Sequence, residues 1–323
     1  MSLVSVIGAG SLANVFANVL HEFLPEFKLH SVLGRSQEKA EVFASKYSCQ
    51  AVFNIDDFLK EAAPVVVELA GGAALKDYAL PILKSGRTLI CLSSGAFADE
   101  DFKQQAILTA SENNGRICIV NGAIGGLDFL QTCALQRGSA EVIIETTKSP
   151  KSLLGAPGLD GRTLDLTKRT VVFEGGVQEA IKGFPKNINV GVIASLASQK
   201  PQTKVRIVAD PAANSNTHQI TYRSALADAV MEFSGKSEVQ YDSGAQRSSL
   251  PKEPLQPHYL LVTTVKKTEA VSLDASVSKL TFSGPYLASR LLASFQEIHC
   301  RIKNLGTGEV RQTLPNLRPV SLG

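Results

Sequence analysis

No uninterrupted stretch of about eighteen apolar residues occurs in this 323-residue chain, so nothing in it reads as a membrane-spanning helix. Nor does a basic segment with an apolar core precede a cleavage site, because the sequence runs at once into a strand pattern; the expectation is a cytoplasmic protein with no membrane partner. Charge of one sign is not in excess. With 33 Lys and Arg against 30 Asp and Glu, the net +3 and the lack of a dense basic run argue against nucleic acid and for small-molecule partners. Cysteine is scarce and unpatterned. Cys49, Cys91, Cys118, Cys133 and Cys300 are odd in number and show no C-x-x-C spacing, which points away from a disulfide framework and from a metal site. Such thiols behave as small buried hydrophobes. What remains is an ordinary globular composition, 44% apolar and 20% charged, in a chain long enough for two domains with cores of their own.

A further absence is local. Val4 to Ile7 is a short apolar run that breaks into Gly8-Ala9-Gly10-Ser11-Leu12-Ala13, a G-x-G-x-x-A string. From there Leu12, Val15, Phe16, Val19, Leu20 and Phe23 recur at steps of three and four, so a strand, a glycine turn and an amphipathic helix follow in order. Such a turn takes the pyrophosphate of a dinucleotide. Gly8 permits the tight turn, Gly10 the close approach of backbone to ligand, and Ala13 the packing of helix on strand, while the helix start at Ser11 and Leu12 offers free N–H groups at a positive dipole end. The next strand, Phe27 to Leu33, ends in Gly34-Arg35-Ser36, without the Asp or Glu that an NAD enzyme places on the ribose 2′-hydroxyl. Arg35 can grip a 2′-phosphate that a carboxylate would repel, so the expected cofactor is NADP or NAD, with NADP favoured. The alternative makes Arg35 a solvated turn residue and Ser36 the cap of a helix over Gln37 to Tyr47.

The alternation continues. Pro64 to Ala70, Arg87 to Leu92 and Arg116 to Val120 read as strands, with helical patterns at Ala73 to Lys84 and Asp99 to Asn114 between them. Strands separated by helices imply right-handed crossovers and a parallel sheet covered on both faces. Ligands of such a sheet sit beyond the carboxyl ends of its strands, which gathers Gly8 to Gly10, Gly34 to Ser36, Glu68 to Gly72 and Ser93 to Ala96 around one crevice. After Asn121-Gly122-Ala123-Ile124-Gly125-Gly126 the texture changes: strands at Ala140 to Thr147, Thr170 to Glu174, Thr203 to Ala209 and His218 to Tyr222, helices at Val177 to Gly183 and Asn189 to Ser198. The expected fold class is α/β, a doubly wound Rossmann domain over 1–122 followed by an α+β domain over 123–225. Beyond it, 226–323 holds Ser-, Pro- and Gln-bearing segments and one helical stretch, Tyr286 to Ile298, and has no assigned fold.

Polar side chains concentrate in Phe184 to Val190 and in Asp210 to His218, each where a loop meets a regular element. His218 is the histidine in such a setting; His21, His30, His258 and His299 have no comparable neighbourhood. With an ordinary pKa of about 6.5 it can exchange protons near neutrality, or simply satisfy a strand-end carbonyl.

These residues resemble the L-aspartate dehydrogenase family. The likeness runs from the glycine turn through Ser93 to Phe97, Gly122 to Asp128, Val172 to Gly175, Phe184 to Val190, Val205 to Pro211 and Asn216 to Ile220, about the first 220 residues. It implies that His218 is the catalytic acid/base and that Ala123 and Asn189 contact the cofactor, beside Gly8, Gly10, Ser11, Leu12, Arg35, Ser36 and Ser93. It also implies a homodimer, with 123–225 as the substrate and dimerisation domain. The reaction it implies converts L-aspartate to iminosuccinate, then oxaloacetate and ammonia, or the reverse reductive amination; the partners are a small dicarboxylic amino acid and ammonia, with a place in amino-acid metabolism or NAD biosynthesis. Lys148 and Lys186 are candidates to hold the carboxylates, solvated lysines being the alternative. Asp128 is read as a dipole partner opening a helix, and Glu174 as a cap for the helix that follows it.

The likeness stops short of the end. The family's closing Asn-Pro-Lys-Thr-Ser segment and return helix have no match here, and Ser249 to Pro254 differs from it. Competing expectations are a dehydrogenase of the same architecture for another small amino or oxo acid, and a non-catalytic NADP(H)-binding protein. The absent Glu-Lys-Pro and His-His-x-x-Lys patterns count against sugar-type and dihydrodipicolinate-type relatives.

Overall fold

The computed structural model describes residues 2–234, apart from 136–138, 166, 186–187, 201 and 226. Lys186 and the segments Ser249 to Pro254 and Tyr286 to Ile298 lie outside the described residues.

The first domain alternates β1 (Ser2–Ile7), α1 (Ser11–Phe23), β2 (Phe27–Leu33), α2 (Gln37–Tyr47), β3 (Gln50–Val52), α3 (Ile55–Glu61), β4 (Val65–Glu68), α4 (Gly72–Lys84), β5 (Thr88–Cys91), α5 (Glu100–Glu112) and β6 (Arg116–Ile119). Its strands form one parallel sheet in the order β3-β2-β1-β4-β5-β6, the doubly wound order of a dinucleotide-binding domain. Val4, Val6 and Ile7 of the central β1 are buried because helices cover both faces. Buried beside them, Ser5 hydrogen bonds Ser31 at 2.8 Å and accepts from the Ala63 N–H at 2.9 Å. One face packs α1 and α2 through Phe16 and Phe43, and the other packs α3, α4 and α5 through Phe58, Leu75, Ile82 and Phe102. Replacing a fully buried phenylalanine such as Phe16 or Phe58 by alanine costs about 3–5 kcal/mol.

Two elements here are absent from the sequence reading. β3 has three residues, too few to show a period, and α3 has seven. The start of α3 nevertheless carries a capping signal, since the Asn54 side chain accepts from the Asp57 N–H at 2.8 Å. Leu12 is corrected too: it is 39% exposed rather than part of the buried face of α1, because it sits in the first turn where the helix meets the crevice.

The second domain contains α6 (Leu127–Ala134), β7 (Ala140–Lys148), α7 (Pro150–Leu153), β8 (Thr170–Gly176), α8 (Val177–Gly183), α9 (Asn189–Ser198), β9 (Lys204–Ala209), β10 (Thr217–Ser224) and β11 (Asp228–Ser234). The sheet order is β11-β10-β7-β9-β8, with β7 and β9 parallel and the other neighbours antiparallel. β11 lies past residue 225, in the stretch left without a fold by the sequence pattern. Its Ala229, Met231 and Phe233 face inward while Asp228 and Val230 face out, so the alternation was present but only seven residues long. Helices α6 and α9 cover one face through Leu130, Ile193 and Ala194. The core around α4 and α5 continues across the boundary, joining Ala96 and Phe97 to Phe184, Ile188 and Val192.

Candidate functional site

At the end of β1 the backbone of Gly8 adopts φ +102°, and a Cβ there would stand 3.0 Å from Ala70 Cβ and 3.1 Å from the Leu69 carbonyl carbon. Only glycine fits both demands. Its N–H donates to the Leu33 carbonyl at 2.8 Å, tying the turn to β2. Gly10 is the N-cap of α1 and supplies no side-chain acceptor, while a Cβ added to it would meet nothing within 4 Å. An uncapped helix N-terminus facing open space is the arrangement a pyrophosphate needs, so these residues fit a dinucleotide.

The tip of β2 carries the residues proposed to meet the ribose. Gly34 packs tightly, since a Cβ would stand 2.7 Å from Ala40 Cβ. Ser36 caps α2, its Oγ accepting from the Lys39 N–H at 3.5 Å, and Arg35 and Lys39 are both exposed beside that cap. The capping role weighed for Ser36 is therefore present. Lys39 is a second cation at this tip that the pattern of the sequence did not single out.

Glu68 organises the loops around the crevice, a role that the sequence left unstated. Fully buried at the end of β4, its Oε1 accepts from the N–H groups of Ala70 (2.8 Å) and Gly71 (2.7 Å) and from Ser93 Oγ (3.0 Å), and its Oε2 from the Ser93 N–H (3.0 Å). Four donors satisfy a carboxylate that burial would otherwise penalise heavily. Glu68 thereby clamps the loop after β4 to the loop after β5, and Ser93, expected against the cofactor, directs both of these hydrogen bonds inward to it.

A short 3-10 turn, Ser94–Ala98, then joins the two domains. The Gly95 N–H donates to Asn189 Oδ1 at 2.9 Å, Ser94 Oγ donates to the Asn189 carbonyl at 3.0 Å, and the Gln178 side chain donates to the Ala98 carbonyl. The oxygen of the Asn189 side chain is thus committed, and a cofactor contact from this residue falls to its amide group. Ala123 is half-buried between Gly122 and the fully buried Ile124. Gly126 closes this segment at φ +69°, where a Cβ would overlap Met231 of β11.

In the second sheet His218 of β10 pairs across to Thr146 of β7, and its Nδ1 lies 3.0 Å from Thr146 Oγ1. It is 7% exposed. Burial, with a smaller contribution from the Lys148 ammonium, pulls its pKa down from 6.5 to about 4. Lys148 ends β7, and burial also lowers its pKa. The structure therefore brings two of the proposed residues, His218 and Lys148, into electrostatic contact. Gly8, Gly10 and Ser93 gather at the carboxyl ends of β1 and β5, and Asn189 links that edge to the second domain.

Glu174 does not cap α8. It faces Arg206 across the β8–β9 pair and bonds it at 2.8 Å, while Glu179 Oε2 accepts from the Gly176 N–H at 2.9 Å and does the capping. Asp128 lies exposed in the first turn of α6.

Similarity to known proteins matches this layout. Residues 8–121 match a family described as homoserine dehydrogenase, NAD binding domain, and 128–245 match one described as aspartate dehydrogenase, C-terminal. The chain is 32% identical over 228 residues to an L-aspartate dehydrogenase of Methanothermobacter thermautotrophicus, covering 71% of this chain and 84% of that protein. It is 40% identical over 178 residues to the L-aspartate dehydrogenase of Thermotoga maritima, covering 55% and 69%. The crystal structure of aspartate dehydrogenase from Thermotoga maritima superposes with a TM-score of 0.59 at 33% identity, over 72% of this chain and 89% of that one.

Proposed function

The chain belongs to the L-aspartate dehydrogenase family, and from that premise we propose that it oxidises L-aspartate to iminosuccinate, which water takes on to oxaloacetate and ammonia, or runs the reductive amination in reverse, with His218 as acid/base. It is an oxidoreductase that depends on a nicotinamide cofactor. When bound, that cofactor supplies the acceptor for the α-hydride.

His218 carries the reading. A ring held to a pKa of about 4 is neutral at physiological pH, so it is ready to take a proton from the substrate ammonium or from the attacking water. Once protonated it is the acid of the reverse direction. Lys148 supports the same step from the substrate side. A partly desolvated ammonium favours an anionic partner, and a substrate carboxylate beside it would offset the smaller of the two causes that depress His218, easing protonation of the ring. Lys186 keeps its place in the proposal as a second carboxylate partner on sequence grounds.

The uncapped start of α1 at Gly10 receives the pyrophosphate, and Ala123 with the amide of Asn189 contacts the nicotinamide half. Arg35, Ser36 and Lys39 favour NADP, because two cations and a helix N-terminus suit a 2′-phosphate. A cytoplasmic homodimer, with 1–122 as the cofactor domain and the residues after it forming the substrate and dimerisation domain, completes the reading and rests on the family resemblance. Spectrophotometry tests it. Purified protein should reduce NADP or NAD only when aspartate is present, and oxidise the reduced cofactor with oxaloacetate plus ammonia; failure of both reactions would contradict the proposal.

A further inference from the structure

The inward rows of the second sheet are apolar almost throughout. β7 contributes Val142 and Ile144, β10 Ile220 and Tyr222, and β11 Ala229, Met231 and Phe233. At one end of these rows stand Thr146 and His218, paired across β7 and β10, with Ile207 on the other side of Thr146 and Phe233 on the other side of His218. Thr146 is 2% exposed. Valine has the same shape and suits such a row better, since a buried hydroxyl costs about 1–3 kcal/mol unless it is hydrogen-bonded. The bond the hydroxyl makes runs to His218 Nδ1, at 3.0 Å. A β-branched side chain on a strand is stiff at χ1, so the direction of this oxygen is set by the sheet.

We propose that Thr146 is a positioning residue for His218: its hydroxyl fixes the imidazole plane and, acting as the acceptor, favours the tautomer with the proton on Nδ1, so that Nε2 presents a lone pair to the substrate. The proposal rests on the acid/base reading of His218. In this tautomer of the neutral ring Nδ1–H donates to Thr146 Oγ1. When Nε2 takes one proton from the ammonium or from water the ring becomes an imidazolium, and the Nδ1–H bond to Thr146 persists. Release of the Nε2 proton returns the same tautomer, ready for the next cycle. The threonine neither gains nor loses a proton.

Three variants of the full chain test this, with His218→Ala as the reference. Thr146→Val should lower kcat by about tenfold or more while KM for aspartate stays within about twofold, and Thr146→Ser should recover most of the loss. Spectra of the protein labelled with 15N at histidine provide a readout independent of turnover: the His218 ring should carry its proton on Nδ1 in the wild type and show mixed tautomers in Thr146→Val. Should the valine variant fail to fold, Thr146→Ala takes its place in both measurements. Wild-type kcat without the hydroxyl, no rescue by serine, or a wild-type ring protonated on Nε2 would each overturn the proposal. If His218→Ala itself turns over aspartate at the wild-type rate, the acid/base reading fails; if only the threonine variants are silent, that reading stands and this inference falls.

Discussion

The Lys148 ammonium adds to burial in disfavouring a charged His218. Replacing Lys148 by methionine removes the smaller of the two causes that depress the imidazole, so the His218 pKa should rise from about 4 toward its ordinary value without reaching it, burial being the larger cause. With His218 as the proposed base the neutral ring is the reactive form in oxidation, so the acid limb of kcat/KM against pH should move upward in Lys148→Met, and KM for aspartate should rise if Lys148 is the carboxylate partner proposed. An acid limb that stays in place would separate Lys148 from His218. At the ribose end, Arg35→Asp should raise KM for NADP by about tenfold or more and leave NAD nearly untouched, because a carboxylate there repels only the 2′-phosphate. Steady-state kinetics with both cofactors reads this, and equal losses would remove Arg35 from the phosphate site. Residue-level chemistry was unevenly legible in the sequence. His218 stood out by its polar neighbourhood, whereas its partner Thr146 is 72 residues away and becomes visible only through the β7–β10 register. Glu68 was hidden for the same reason, Ser93 lying 25 residues along the chain.

The glycine turn shows how an element serves two ends at once. Gly8 is required by φ +102° and by its contact with Ala70, so it belongs to the fold, while Gly10 faces open space and is the residue proposed to meet the ligand. Gly10→Ala should therefore leave the melting temperature within about 2 °C of the wild type, as an exposed substitution without strain does. Its dissociation constant for the dinucleotide should rise by about tenfold or more, since the added methyl enters the space the pyrophosphate uses. Thermal melts and fluorescence titration with NADPH decide it; an unchanged affinity would place the pyrophosphate elsewhere. Elements with a long period were readable in the sequence, and those without one were not. α1 and the apolar runs of β1, β2 and β4 showed their patterns plainly, whereas β3 is too short to have a period and β11 follows a turn with no strong glycine signal.

Across the whole molecule, the core around α4 and α5 runs unbroken into α8 and α9, and three hydrogen bonds from the Ser94–Ala98 turn cross the same boundary. The two domains should unfold together. Calorimetry of the full chain without cofactor should give one cooperative transition over the described domains; two well-separated transitions would show that the shared core contributes little. This coupling fits the proposed site, whose pyrophosphate turn lies on the first domain while His218 and the nicotinamide contacts proposed for Ala123 and Asn189 lie on the second, because a small shift between them would misplace the reacting atoms. The doubly wound class of the first domain was legible from alternation alone, though its edge strand β3 was not. The way Asn189 locks onto Gly95 was not, since it joins residues 94 positions apart. The most direct test of the account compares initial rates of aspartate-dependent NADP and NAD reduction by the wild type and by His218→Ala. The account predicts saturable turnover in the wild type and a loss of about a hundredfold or more in kcat for the variant; turnover within twofold of the wild type, or none in either protein, would contradict it.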